Sequence, residues 1–124
     1  YEIVDCDWSS DVCSSDLNSG IFFRCADPKK IGATECYEAN IFDTRADPTY
    51  GTASIVNVAK VSGDIKAGNR WNSMEVIAQG PRLRVIFNGV QTVDAQDAKF
   101  PKGIIALQYG GGVVKFRKVL VKAL

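Results

Sequence analysis

The sequence predicts an all-β chain folded as an antiparallel sandwich. Three observations predict it. Apolar and polar residues alternate with period two in one short segment after another. Gly, Pro, Asn and Asp punctuate the intervals between those segments. No segment gives a helix signal.

The elements follow in order. Residues 1–5 read as the start of a strand. In residues 19–25, Ile21 and Phe23 alternate against Phe22 and Arg24, the pattern of a half-buried strand. Residues 26–35, with Asp27-Pro28 and Gly32, form a loop. Tyr37, Ala39 and Ile41 then make one face of a strand whose other face holds Glu38, Asn40 and Phe42. Residues 43–51 are a loop, and residues 52–59 are rich enough in apolar and β-branched side chains to predict a strand. A polar loop over 62–70 leads to strands at 71–78 and 83–87. Asn88-Gly89 predicts a two-residue hairpin, because a type I′ turn needs positive φ at both central residues. Strands at 90–94, 103–109 and 113–121 complete the chain, with Gly110-Gly111-Gly112 as the last turn. Phe116 is out of phase with Val119 and Val121, which predicts a bulge near Arg117.

Composition fits one soluble domain with its own core: 124 residues, 46% hydrophobic and 23% charged. No apolar run reaches the length of a membrane span. Residues 1–17 carry five acids and no base, so residues 18–124 hold 15 bases against 9 acids. Those bases are scattered, without the run or aromatic interleaving of a nucleic-acid binder. Cys25 and Cys36 sit at opposite ends of a predicted hairpin. Strand parity puts them on opposite faces, so a disulfide between them requires an intervening bulge.

The chain has no histidine, which excludes a Ser-His-Asp or Cys-His site and the His-containing zinc sites. The glycine triplet lacks the Lys-Ser/Thr and the helix that a phosphate loop needs. Paired acids at alternate strand positions are missing too, which argues against a two-carboxylate glycosidase. What remains is a polar row on one sheet face, formed by Arg24, Glu38, Asn40 and Gln108 and flanked by Phe22 and Phe42. The row reads equally as a cross-strand Arg24–Glu38 ion pair on a soluble face.

Four blocks carry a resemblance. They are Asn18-Ser-Gly-Ile-Phe-Phe-Arg24, Cys36-Tyr-Glu-Ala-Asn-Ile-Phe-Asp43, Trp71-Asn-Ser-Met-Glu-Val-Ile77, and Gly103-Ile-Ile-Ala-Leu-Gln108 running into Val113-Val-Lys-Phe-Arg117. In this order they resemble the 3-keto-disaccharide hydrolase domain family over residues 18–124. The resemblance implies a concanavalin A-like jelly roll, an exported or periplasmic protein, and an enzyme that cleaves 3-keto-glycosides by elimination and hydration or by net hydrolysis. It implies a sugar partner; no cofactor is predicted, a divalent metal stays open, and the scattered bases argue against nucleic acid. On this reading Glu38 is the general base and Arg24 its electrostatic partner, while Asn40 and Gln108 hold hydroxyls and Phe22 and Phe42 offer flat surfaces. Asp43, Arg45 and Lys60 are secondary candidates, each readable as a loop charge. Trp71 is a candidate stacking platform, or else a core residue.

The chain departs from the family twice. Many members read Leu-Gln-x-His-Gly where this chain has Leu107-Gln108-Tyr109-Gly110-Gly111, and an arginine is frequent where Gly51 stands. These departures keep open a non-catalytic carbohydrate-binding jelly roll and, beyond it, a laminin G-like interaction module. Residues 6–17 are similar to something else, the in-frame translation of a sequencing adapter. That likeness implies a foreign insert following a fragment of the first native strand (residues 1–5), in a domain short of one or more N-terminal strands.

Overall fold

The computed structural model describes residues 2–10, 18–61, 65–68 and 70–123. Its strands are β1 (Glu2–Ser10), β2 (Asn18–Cys25), β3 (Tyr37–Ile41), β4 (Trp71–Gln79), β5 (Arg82–Phe87), β6 (Val90–Gln96), β7 (Ile104–Gly111) and β8 (Val114–Ala123). One antiparallel sheet has the order β6-β5-β4-β1-β8 and the other β3-β2-β7. The two sheets make the sandwich that the strand pattern predicts, with the jelly-roll fold that the resemblance implies. Among the described residues one 3₁₀ turn forms, Pro48–Tyr50, capped by the Asp47 side chain. Among the described residues no helix is long and apolar enough to cross a membrane.

Alternation decides which side chains meet between the sheets. Ile21, Phe23, Tyr37, Ala39 and Ile41 from the small sheet pack against Val4, Cys6, Met74, Val76, Leu83 and Val85 from the large one. β1 runs past Asp5, and Cys6 is fully buried in this core. The part of the expected insert at residues 11–17 lies outside the described residues. The β5–β6 turn is type I′, with φ of 49° at Asn88 and 83° at Gly89. Opposite β1, Asp7 pairs with Lys118 and Trp8 with Phe116, so Arg117 is the extra residue of the predicted bulge.

A second bulge was not legible in advance. Phe22 pairs with Ala106 but Cys25 with Ile104, and Arg24 between them takes a left-handed φ of 56°. That extra residue turns Cys25 onto the face of Phe22, where Cys36 already lies, and the two cysteines form a disulfide with Cα atoms 4.6 Å apart. The parity objection to the bridge is removed by the bulge.

The strand expected over residues 52–59 does not form. Ala53 and Asn57 adopt positive φ values of 70° and 61°, which an extended ladder cannot accommodate. The segment instead folds as turns along the free edge of β3. Ala53 N donates to Asn40 O, Asn40 N to Ser54 O, and Val56 N to Glu38 O. Its β-branched side chains mark burial: Ile55 is fully buried and Val56 nearly so.

The other end of the sandwich is apolar but open. Leu107 and Tyr109 pair with Ile21 and Ser19, and Val119 and Val121 pair with Cys6 and Val4, so all four belong to the core-facing side. All four are nevertheless exposed, Tyr109 by 80%.

The disulfide closes a loop whose ends are 11 residues apart in sequence. Replacing both cysteines by serine should lower the unfolding free energy by about 2–3 kcal/mol. Urea denaturation of the oxidised protein and the double variant measures the difference, and coincident transitions would contradict the stabilising role.

Candidate functional site

The site lies on the outward face of the small sheet. Register places Gly20 beside Asn40 on β3 and Gln108 on β7, and Phe22 beside Glu38 and Ala106. The Glu38 side chain does not stand straight up from β3. It lies across β2, over Gly20. A Cβ at residue 20 would sit 2.9 Å from Glu38 Oε1 and 3.1 Å from its Cγ. Over β2, Oε1 meets the Gln108 side chain from β7: with its amide oriented nitrogen towards the carboxyl, Gln108 donates to Oε1 at 2.7 Å and to Ser19 O at 3.1 Å. Ser19 Oγ donates to Gln108 O at 2.6 Å, which fixes the same strand pair. A glycine in mid-strand weakens a sheet unless something must approach closely; here it is the carboxyl.

Glu38 is only 6% exposed. Burial disfavours its charged form and pushes its pKa up from 4.5 to about 7, with Arg45 pulling modestly the other way. A carboxyl that titrates near neutrality can accept and return a proton at physiological pH.

Beside Glu38, Asn40 is almost fully buried. Its Nδ2 donates to Tyr50 O at 2.9 Å, while its Oδ1 has no partner. Around Tyr50 gather two cations, Arg45 Cζ at 5.9 Å and Lys60 Nζ at 5.4 Å from the ring centroid. Asp43 is the brace behind them. Its carboxylate accepts from Thr52 Oγ1, from Ala67 N at 2.9 Å and from Gly68 N at 3.0 Å, tying three loops together. Phe22 is buried against the disulfide, and Phe42 is half-buried where β3 ends.

Two predicted residues lie elsewhere. The bulge rotates Arg24 out of the row, and its guanidinium donates to the carbonyls of Gly80 and Phe100. There it lines an apolar cavity of about 240 Å³ with Gly80, Pro81, Ala98 and Pro101. Near it Tyr37 Oη donates to Asp97 Oδ1 at 2.5 Å, so this end of the sandwich is a polar clasp. The expected Arg24–Glu38 pair does not form; the cation that acts on Glu38 is Arg45. Trp71 is on the outer face of the large sheet, 42% exposed, with Arg117 Cζ 4.3 Å from its ring centroid. It is neither core nor part of the Glu38 site.

The sequence reading passed over Gly20, Tyr50 and Asn18. A glycine inside a strand pattern is a signal for close approach and could have been used. Asn18 and Gly110 meet on the same two strands, where a Cβ at 110 would fall 2.9 Å from Asn18 Nδ2. A side chain at residue 110 would therefore crowd the Asn18 amide. Among the described residues, no group of three or more His, Cys, Asp or Glu is placed to hold a metal.

Residues 3–122 match the 3-keto-alpha-glucoside-1,2-lyase-like domain. The chain belongs to this family. No curated protein sequence matches it significantly. Solved structures share the fold. A glycosyl hydrolase-like protein from Parabacteroides distasonis is 22% identical with a TM-score of 0.82, covering 99% of this chain and 78% of its own. A second from the same organism is 18% identical with a TM-score of 0.81, covering 99% and 71%. The carbohydrate-binding module CBM66 from Bacillus subtilis is 20% identical with a TM-score of 0.74, covering 98% and 74%.

The raised Glu38 pKa makes stability depend on pH. The unfolded carboxyl ionises near 4.5 and the folded one near 7, so the unfolded state binds fewer protons in between. The Glu38 contribution is complete below pH 4.5, is lost as pH rises to about 7, and is flat above; its size is at most about 3 kcal/mol. Unfolding free energies measured by urea at pH 4.5, 6 and 8 should shift in favour of Glu38→Gln as pH rises. A difference between the two proteins that stays constant with pH would exclude this account.

Proposed function

We propose that the chain is a lyase-type domain that cleaves 3-keto-glycosides, with Glu38 as general base. The observation that carries the proposal is a near-buried carboxyl with a pKa of about 7, laid across Gly20 on the outward face of the small sheet. Membership of the 3-keto-alpha-glucoside-1,2-lyase-like family supports the choice of substrate.

A ketone at C3 of the sugar acidifies the hydrogen on C2. Ionised Glu38 takes that proton, and the electron pair of the C–H bond moves into a C2–C3 enolate. The C3 carbonyl then re-forms, a C1–C2 double bond is made, and the C1–O bond breaks. The proton held by Glu38 leaves with the departing oxygen, so charge and protons balance and the carboxylate is regenerated. Water added across the new double bond makes the overall result hydrolysis. Gln108 orients the base through the 2.7 Å hydrogen bond to Oε1. Arg45, rather than Arg24, is the cation near enough to Glu38 to favour the enolate oxygen. Asn40 offers its unpartnered Oδ1 to a ring hydroxyl, with Phe22 and Phe42 as apolar neighbours. Asp43 serves by holding the loops, and Trp71 has no part in this reaction. The disulfide between Cys25 and Cys36 supports export to an oxidising compartment.

One observation favours a second reading. Gly110 stands at the motif position where many relatives have a histidine, which suits a domain that binds sugar without cleaving it. A nitrophenyl 3-keto-α-glucoside separates the two. The wild-type protein should release nitrophenol, and Glu38→Gln should lower kcat by at least about a thousandfold with ligand affinity within a few-fold. Binding without any release by the wild-type protein would establish the non-catalytic reading.

A further inference from the structure

We propose that Arg45 and Lys60, at the rim of the Glu38 site, bind an anionic substituent of the saccharide, so that the preferred ligands are acidic sugars. The inference rests on the reading of that site as a sugar site and adds a substrate class to it.

Both cations lie over one ring: Arg45 Cζ is 5.9 Å and Lys60 Nζ 5.4 Å from the Tyr50 centroid. The Tyr50 backbone is tied to the floor of the site, since its carbonyl O accepts from Asn40 Nδ2. Among the described residues neither cation is in an ion pair, whereas Arg82 has Asp94 at 2.9 Å. Arg45 acts electrostatically on Glu38, and a second acid coupled to this pair is Asp47. Both cations act on it electrostatically, but its carboxylate caps the 3₁₀ turn, accepting from Thr49 N at 3.1 Å and from Thr49 Oγ1. Asp47 therefore tempers the positive charge without satisfying it.

Two like charges beside one ring repel, and cation–π contact returns little at a partly exposed site. An anion bound by either cation offsets that charge. It also finds five N–H donors on the guanidinium and three on the ammonium. A carboxylate suits the planar fork of Arg45, and a sulfate is held by the same charges. The apolar face of a sugar ring can meet Tyr50 while its acidic group meets the two cations. A neutral sugar uses the ring and leaves the charges unanswered.

Isothermal titration of the whole chain with methyl glucoside, methyl glucuronide and glucose 6-sulfate tests this. The acidic sugars should bind at least ten times more tightly than the neutral one. That preference should fall towards unity in 0.5 M NaCl and in Lys60→Met, and in Arg45→Met as well. The relative affinities of glucuronide and sulfate identify which anion the rim prefers. Equal affinity for all three sugars, no binding of any, or a preference untouched by Lys60→Met would overturn the inference. Lys60 is exposed, so its variant keeps the test independent of folding. An acidic-sugar preference in a protein that never cleaves a 3-keto-glycoside would sink the lyase reading alone. Turnover of 3-keto-glycosides with no charge preference would sink this inference alone.

Discussion

Glu38 starts on β3 and lies over β2, where it meets the Gln108 side chain of β7, and it can do so only because residue 20 carries no side chain. That single crossing organises the outward face of the small sheet. It removes a carboxylate from water, which raises its pKa, and it positions one oxygen for the Gln108 amide. A side chain at residue 20 would push the carboxyl back towards solvent. Glu38 would then behave as an ordinary surface acid, ionised at neutral pH and a weaker base.

The rest of the structure keeps this arrangement in place. The segment after residue 51 is not a strand, yet it hydrogen-bonds along β3 and seals the edge beside Glu38 and Asn40. Asp43 binds that segment to residues 67 and 68, so the loop that carries Arg45 and Tyr50 is braced from behind. On the other side the disulfide packs beneath Phe22. The protein thus builds its reactive face from a short sheet stiffened by loops, while the five-stranded sheet supplies the core. Among the described residues the β7–β8 end lacks such cover, and its apolar side chains are exposed there.

Much of this could be read from residue order. Period-two alternation placed Glu38, Asn40, Gln108 and Phe22 on one face, and the Asn88-Gly89 turn and the Arg117 bulge were both visible as breaks in pattern. Arg24 was not, because its left-handed φ is rare for a residue with a side chain, and one extra residue there reverses the parity of everything beyond it. The same bulge that removes Arg24 from the site brings Cys25 to Cys36. Residues 52–59 misled for a different reason: β-branched composition reports burial as readily as extension. Arg45, Tyr50 and Lys60 meet through loops, where no periodicity operates. Trp71 went astray since the sequence gives its strand but not which face is wet.

The central claim is that the fold holds a neutral-range carboxyl at residue 38. An NMR titration of the Glu side-chain carboxyl carbons, assigned by comparison with Glu38→Gln, measures it directly. The account predicts one resonance titrating near pH 7 and missing from the variant. A Glu38 resonance that titrates with the surface acids would contradict it.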